Sequence, residues 1–226
     1  MTNTQTFDDG LAPILVMGAT SGIGKLALEE ALSRNLKVRA FARSASDLDA
    51  RHGLELCPGD ALESKDVKKA LTGVQSVIYA LGIKERVSML WQEETLFSKS
   101  TDTLLRAMEQ SAPSGGTRRL VVVTGFGAGR SIKAMSSIER LGHRAILGRP
   151  YADKDRQEEL VTQSSLDWTI VRPVILTNGK GTTGYKVLRD PMTWRNGLIS
   201  RKDVAHYLVD AATQQMDLRA DIVLSR

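Results

Sequence analysis

The stretch ILVMGATSGIGKLALEEALSR, Ile14 to Arg34, constrains this chain more than any other. A short run typical of a buried strand, Ile14 to Met17, passes at once into GATSGIG. A segment follows with apolar residues at helical spacing, Leu26, Ala27, Ala31 and Leu32. Gly18, Gly22 and Gly24 set out G-x-x-x-G-x-G between strand and helix, with Ala19, Thr20, Ser21 and Ile23 filling the turn. Glycines let a backbone turn sharply and approach a pyrophosphate closely, and a helix N-terminus offers unpaired N–H groups and a positive dipole end. Thr20 and Ser21 add hydroxyl donors. A glycine trio alone says little; after the first strand and opening the first helix, it specifies a phosphate-binding turn.

Downstream, apolar strands alternate with amphipathic helices. LKVRAF, after Asn35, reads as a second strand, LELCPGD as a third and SVIYALG as a fourth. RRLVVVTG is apolar enough for the centre of a parallel sheet, LDWTIVRPVIL makes a sixth strand and DIVLSR a short last one. Ser64 is placed to cap SKDVKKAL, and a longer helix is expected from about Trp91 to Gln110. DKDRQEELVTQ and SRKDVAHYLVDAAT read as helices, the second with Asp203 near its start. TNGKGTTGYKVLRD reads as a loop or hairpin, and Phe126 to Pro150 is Gly-rich and basic without a clear period. The pattern predicts one α/β domain over residues 11–226, a single Rossmann-like, doubly wound parallel sheet. A small substrate-side region is expected from about 126–150 and 175–200, and residues 1–10 read as a flexible lead-in.

Composition excludes several function classes. The 226 residues hold one cysteine, Cys57, so neither an intramolecular disulfide nor a thiolate metal cluster is possible. His52, His143 and His206 are far apart and show no zinc-ligand spacing, so no metal is expected. No apolar run approaches the roughly 18 residues needed to span a bilayer. The polar start MTNTQTFDDG lacks the parts of a signal peptide, so a cytoplasmic protein without a membrane partner is expected. The net charge of +5 is spread along the chain and no nucleic-acid-reading motif occurs. Such a field either attracts a polyanionic cofactor or acidic substrate or simply solvates the surface. A small-molecule partner and a monomer or homodimer are expected.

The residues after the second strand address which nucleotide the turn holds. A ribose 2′-hydroxyl is usually met by an Asp or Glu about 20 residues beyond the glycines. Here VRAFARSAS has no acid before Asp47, and Arg43 and Ser44 stand in its place. A guanidinium can grip a 2′-phosphate through two hydrogen bonds, so NADP(H) is the expected cofactor, the alternative being that Arg43 is a solvated loop residue. Asp60, followed by Ala61, either accepts from the adenine amino group or caps the next helix. Ala80, Leu81 and Gly82 end the fourth strand, where small residues let the backbone pass under a cofactor.

GATSGIG, VRAFARS, GDALESKDV and LDWTIVRP together resemble the atypical short-chain dehydrogenase/reductases. Within them the chain is most similar to a small NAD(P)H-binding group of biliverdin-IXβ and flavin reductase-like and NmrA-like proteins. The resemblance covers about Leu11 to Arg226, and it implies a catalytic centre. A Ser or Thr usually follows the fifth strand, and Thr124 fits, its hydroxyl bonding either a substrate oxygen or backbone. The common branch then carries Tyr-x-x-x-Lys, the Tyr giving a proton to substrate and the Lys holding the nicotinamide ribose. Alignment through Glu158 and SSLDWTIVRP puts Lys154 on that lysine, with Pro150 where the Tyr would stand. Tyr151, three residues from Lys154, shares its helix face if the helix begins early enough. Tyr151 is then either the proton donor or a loop or core aromatic, and Lys154 either touches the ribose or is solvated.

Arg172, Pro173 and Val174 are expected to border the nicotinamide through backbone groups, and Arg130, Arg144 and Arg149 to offer a basic lid or merely scattered surface charge. The histidine that biliverdin-IXβ reductase carries after its sixth strand is absent from RPVILT, which argues against biliverdin as substrate. The resemblance implies an NADPH-dependent oxidoreductase passing hydride to a small conjugated or carbonyl acceptor such as a flavin, quinone or tetrapyrrole. The alternatives are an NmrA-like NADP(H) sensor without turnover and an NADP-retaining isomerase or epimerase.

Overall fold

A computed structural model describes residues 12–82 and 95–226. Five strands open the parallel sheet in chain order: β1 (Ile14–Met17), β2 (Val38–Ala42), β3 (Leu54–Pro58), β4 (Ser76–Tyr79) and β5 (Arg119–Val123). Between them run α1 (Gly22–Ser33), α2 (Ser64–Leu71) and α3 (Leu96–Ser111). Then follow α4 (Ser137–Gln163), β6 (Asp167–Pro173), β7 (Ile175–Thr177), β8 (Lys186–Leu188), β9 (Leu198–Ser200), α5 (Arg201–Gln214) and β10 (Ala220–Ser225).

The eight-stranded sheet has the order β3-β2-β1-β4-β5-β6-β10-β8 and is parallel but for β8, which runs antiparallel to β10. Alternate strand residues feed opposite cores. Ile14, Val16, Ile78, Val121 and Ile222 pack towards α1 and α5; Leu15, Met17, Val77, Val122 and Ile170 pack towards α2, α3 and α4. Both faces are covered, which is why these strands read as near-continuous apolar runs. The chain reverses its strand order between β1 and β4, and ligands of open α/β sheets bind outside the carboxyl ends of strands at such a point.

Several element boundaries differ from expectation. Thr95 precedes α3, which begins at Leu96; residues 91–94 of the expected helix lie outside the described residues. Ser64 opens α2 from inside, and the cap position falls to Glu63, whose side chain makes no capping bond. The basic segment after Phe126 forms a short 3₁₀ turn over Gly129–Ala134 and then α4, a 27-residue helix that runs through Pro150. The expected sixth strand is two: β6 ends at Pro173, and Ile175–Thr177 turns away to pair with β9 in a separate two-stranded sheet. TNGKGTTGYKVLRD is a loop plus the edge strand β8; buried Asp203 pins the loop by accepting the N–H groups of Thr182 (2.7 Å) and Thr183 (3.0 Å).

Candidate functional site

The glycine turn joins the end of β1 to α1 beside the end of β4. Gly18 has φ +85°, and a Cβ there would stand 2.6 Å from the Ala80 carbonyl oxygen. A Cβ on Gly24 would overlap the Gly18 carbonyl. These two glycines let turn, helix and β4 close on one another. Gly22 differs: its φ is +55°, yet nothing lies within 4 Å of an added Cβ. The turn is therefore packed from behind and open in front, the shape a pyrophosphate needs. Ser21 at the helix cap makes no side-chain capping bond, and the first turn of α1 carries no acid, so the positive helix end is not neutralised from within. Ala19 is fully buried and Ile23 packs on the core, which leaves the cleft their backbone, while Ser21 is exposed and Thr20 half-buried.

At the end of β2, Arg43 and Ser44 are both exposed. Ser44 Oγ reaches Thr20 Oγ1 at 3.4 Å, linking this corner to the glycine turn. Among the described residues Arg43 has no hydrogen bond or ion pair, so its guanidinium is not spent on the fold. Asp60 does not cap α2. Its Oδ1 accepts the Leu62 N–H at 2.9 Å inside the preceding turn, and its own N–H goes to Asp66 Oδ2 at 2.9 Å. The Ala61 side chain is buried in the core, Ala80 and Leu81 are half-buried, and Gly82 is exposed with open space where a Cβ would stand.

The structure brings Thr124, Tyr151 and Lys154 together at the end of β5. Lys154 Nζ donates to the Thr124 carbonyl at 3.0 Å and lies 4.4 Å from the centre of the Phe97 ring. Burial pulls its ammonium down to about 8, against the opposing pull of Glu158 and Asp153. A Cβ on Gly125 would meet the Tyr151 hydroxyl at 2.7 Å, so that phenol rests on the backbone next to Thr124. Burial, then the Glu158 charge, pushes the Tyr151 phenol up to about 12. Because α4 begins upstream of Pro150, both residues sit on one helix, as the three-residue spacing requires. Neighbouring Asp153 is fully buried and accepts the N–H groups of Phe97 (2.8 Å) and Ser98 (3.3 Å), closing the start of α3 against α4.

The Thr124 hydroxyl meets neither backbone nor open cleft. It donates to Glu158 Oε1 at 2.6 Å, and Glu158 in turn takes Arg172 Nε at 2.9 Å and Nη2 at 2.6 Å. Arg172 Nη1 donates to Asp221 Oδ2 at 2.5 Å, and Arg130 holds Asp221 through both of its oxygens. Burial raises the Asp221 carboxyl, but the two guanidiniums outweigh it and hold the group below its ordinary value. Arg130 and Arg172 also lie 5.1 and 5.0 Å from the centre of the Trp194 ring.

This network bears on the expected basic lid. Arg130 is not a lid cation waiting for substrate, because it is paired within the fold. Arg144 and Arg149 fall on the α4 backbone, but their side chains lie outside the described residues. Of the backbone groups expected to border the nicotinamide, the Pro173 carbonyl accepts Phe126 N–H at 3.0 Å and the Val174 N–H goes to the Leu224 carbonyl at 3.1 Å. Sequence reading used Glu158 only as an alignment mark and did not single out Asp153 or Asp221. A signal existed: Arg172 interrupts an apolar strand run, and a buried charge demands partners.

A separate cleft of about 590 Å³ opens between the ends of α2 and α3, lined by Lys68, Thr72, Gln110 and Gly115 among others. Those residues precede β4 and β5, so it lies at the amino ends of the strands, away from the glycine turn. Among the described residues no helix is long and apolar enough to cross a membrane.

Comparison with known proteins gives a match to the model of the NAD(P)H-binding family over residues 18–215. Sterol demethylase protein B of Methylococcus capsulatus is 34% identical over 117 residues, covering 50% of this chain and 34% of that protein, so the match spans about a third of the relative's length. Among solved structures, ChuY, described as an anaerobillin reductase from Escherichia coli O157:H7, superposes with a TM-score of 0.76 at 24% identity, covering 94% of this chain and 96% of that one. A short-chain dehydrogenase/reductase from Veillonella parvula, solved in complex with NADP, gives 0.78 at 16% identity, covering 95% and 94%.

Proposed function

The chain belongs to the NAD(P)H-binding family, and from that premise we propose that it is an NADPH-dependent oxidoreductase reducing a small conjugated or carbonyl acceptor. One observation carries the reading: Lys154, Tyr151 and Thr124 converge at the end of β5, with only β4 between it and the strand that leads into the open glycine turn, although Pro150 takes the usual tyrosine position.

The residues present fit the cofactor. Open space over Gly22 and the unneutralised start of α1 suit a pyrophosphate, and Arg43, unpaired among the described residues and with Ser44 and Thr20 beside it, suits a ribose 2′-phosphate. When bound, NADPH supplies a hydride. The chain's part is to hold and orient. Lys154 keeps a cation beside the Thr124 carbonyl, where a ribose hydroxyl or a developing negative charge on the acceptor would be met. Tyr151 keeps its phenolic proton at neutral pH and can donate a hydrogen bond; giving the proton up completely requires a cation closer than Lys154 now lies, since that ammonium is turned to the Thr124 carbonyl. A conjugated acceptor eases this demand, because it can take its proton from water.

Mixing the purified protein and NADPH with flavins, quinones and aldehydes tests the proposal. Oxidation of NADPH with at least one class is expected, and none with any class removes the enzymatic reading. The raised phenol favours a second reading, an NADP(H) sensor without turnover. It requires NADPH binding, no turnover, and a partner that co-purifies with only one redox state of the cofactor.

A further inference from the structure

Basic residues occur throughout this chain, but their excess does not. Residues 174–202 hold six Lys or Arg against one Asp, a net +5 equal to that of the whole chain, so the remainder is neutral. The same segment supplies three of the five large apolar side chains that stay exposed among the described residues: Ile175 (56%), Met192 (90%) and Leu198 (56%). Folding sets these groups together. Ile175 and Leu198 are register partners across β7 and β9, so both side chains leave the same face of the small sheet, while Leu176 and Ile199 on the other face join the core. At one end of this ribbon Arg201 Nη1 donates to Asn178 Oδ1 at 2.7 Å, and a Cβ on Gly181 would stand 3.0 Å from the Lys202 Cβ, which brings Lys180 and Lys202 close to each other. At the other end Lys186 pairs in register with Ser225, whose Oγ would meet a Cβ on Gly197 at 2.6 Å, and Arg195 lies two residues before that glycine. Met192 stands six residues before Leu198, a reach of about 20 Å at most.

The side chains of Lys180, Lys186, Arg195 and Lys202 are exposed and have no ion pair or hydrogen bond among the described residues. Arg189 is spent on Asp217, and Asp190 turns its carboxylate to the Met192 N–H. Apolar side chains held among unpaired cations match a surface that is anionic outside and apolar beneath, which is what a bilayer of anionic lipids presents. A protein partner would use about 20–30 residues on this side around a contiguous apolar centre, and three apolar side chains set among cations do not form one. We infer that the β7–β9 face, with the turn that carries Met192, docks on an anionic lipid bilayer, the cations meeting the headgroups and Met192, Ile175 and Leu198 entering the acyl boundary. Such a contact needs no spanning helix. β7 begins two residues beyond the end of β6, and the Leu198 carbonyl accepts the N–H of Arg226 just after β10, so the docking face lies at the carboxyl end of the sheet, where the glycine turn also opens. This departs from the expectation of a chain without a membrane partner, and it stands whether or not the protein turns over an acceptor.

Sedimentation of the full chain with vesicles of phosphatidylcholine, alone or mixed with phosphatidylserine, tests this. Binding to the mixed vesicles is expected, and at least about tenfold weaker binding to phosphatidylcholine alone. A cation near an anionic surface contributes about fivefold in affinity, so Lys180→Gln combined with Lys202→Gln should weaken binding about twenty-five-fold. Lys68→Gln combined with Lys69→Gln removes the same charge from the last turn of α2, at the opposite end of the sheet, and should leave binding within about twofold. Met192→Ser should cost about tenfold, because the apolar side chain no longer enters the bilayer. All five side chains are exposed, so these variants leave the core intact. No binding to the mixed vesicles, equal losses in the two lysine pairs, or full binding by Met192→Ser overturns the proposal. A concentration-dependent dimer in light scattering that Leu198→Ser breaks, with vesicles left unbound, overturns it as well and gives the face to a second copy of this chain.

Discussion

Replacing Gly22 and Gly18 in turn by alanine separates a ligand-facing glycine from a packing one. Both have positive φ, so each alanine carries about 1–2 kcal/mol of left-handed strain. At Gly22 that is the whole cost, because the added methyl meets nothing within 4 Å. At Gly18 the methyl stands 2.6 Å from the Ala80 carbonyl oxygen, well inside van der Waals contact, and that neighbour is backbone at the end of β4. Overpacking of this kind adds about 1–3 kcal/mol. At roughly 2–4 °C per kcal/mol for a chain of this size, Gly22→Ala should lower Tm by about 2–8 °C and Gly18→Ala by about 4–20 °C. Cofactor binding should show a different pattern. If a pyrophosphate passes over Gly22, the methyl occupies its path and affinity for NADPH falls at least tenfold, about 1.4 kcal/mol. At 100 times the wild-type Kd the cofactor stabilises the native state by about 2.7 kcal/mol, which drops to about 1.4 kcal/mol in the variant. Thermal unfolding with and without NADPH reads both quantities. Wild-type affinity in Gly22→Ala, or a stability loss matching that of Gly18→Ala, would refute the placement of the phosphates.

Three further outcomes follow from the same geometry. Arg43→Ala should weaken NADPH binding by about ten- to a hundredfold while leaving NADH unchanged, since a charged hydrogen-bonding pair is worth about 1.5–3 kcal/mol; equal loss for both cofactors removes Arg43 from the 2′-phosphate site. Lys154 has an ammonium pulled down by burial from its ordinary 10.5 to about 8, so kcat/KM should decline above about pH 8, and Lys154→Arg should move that decline to higher pH. A decline with the same midpoint in both proteins assigns it elsewhere. The linked stability has a definite sign: between about 8 and 10.5 the unfolded chain binds more protons at this position than the folded one, so stability should rise with pH across that window, by urea titration. Arg172→Leu strands the buried Glu158 carboxylate and leaves Asp221 with Arg130 alone, and should cost about 3–5 kcal/mol; a loss below about 1 kcal/mol would show that the network does not hold the carboxyl edge together.

The glycine turn and the central strands were readable because each rests on local chemistry. Gly18 and Gly24 close backbone against backbone, and alternate residues of β1, β4, β5 and β6 fill two cores at once, which writes an apolar run into the sequence. The end of the site was harder because its logic is tertiary. Pro150 reads as a helix stop, since it lacks an N–H and its ring crowds the carbonyl four residues back, at a cost of about 3 kcal/mol. In the fold it stands inside α4, and the turns after it are anchored by partners remote in sequence. Asp153 closes the start of α3, Gln157 Nε2 reaches Thr101 at 2.9 Å, and Glu158 engages Arg172. These anchors place Tyr151 and Lys154 beside Thr124 although the four-residue spacing of the family motif is missing. The role of Thr124 was hidden for the same reason. A strand-end hydroxyl can donate or accept, and residues 34, 48 and 97 positions further along the chain settle the choice, so no local pattern could have shown it.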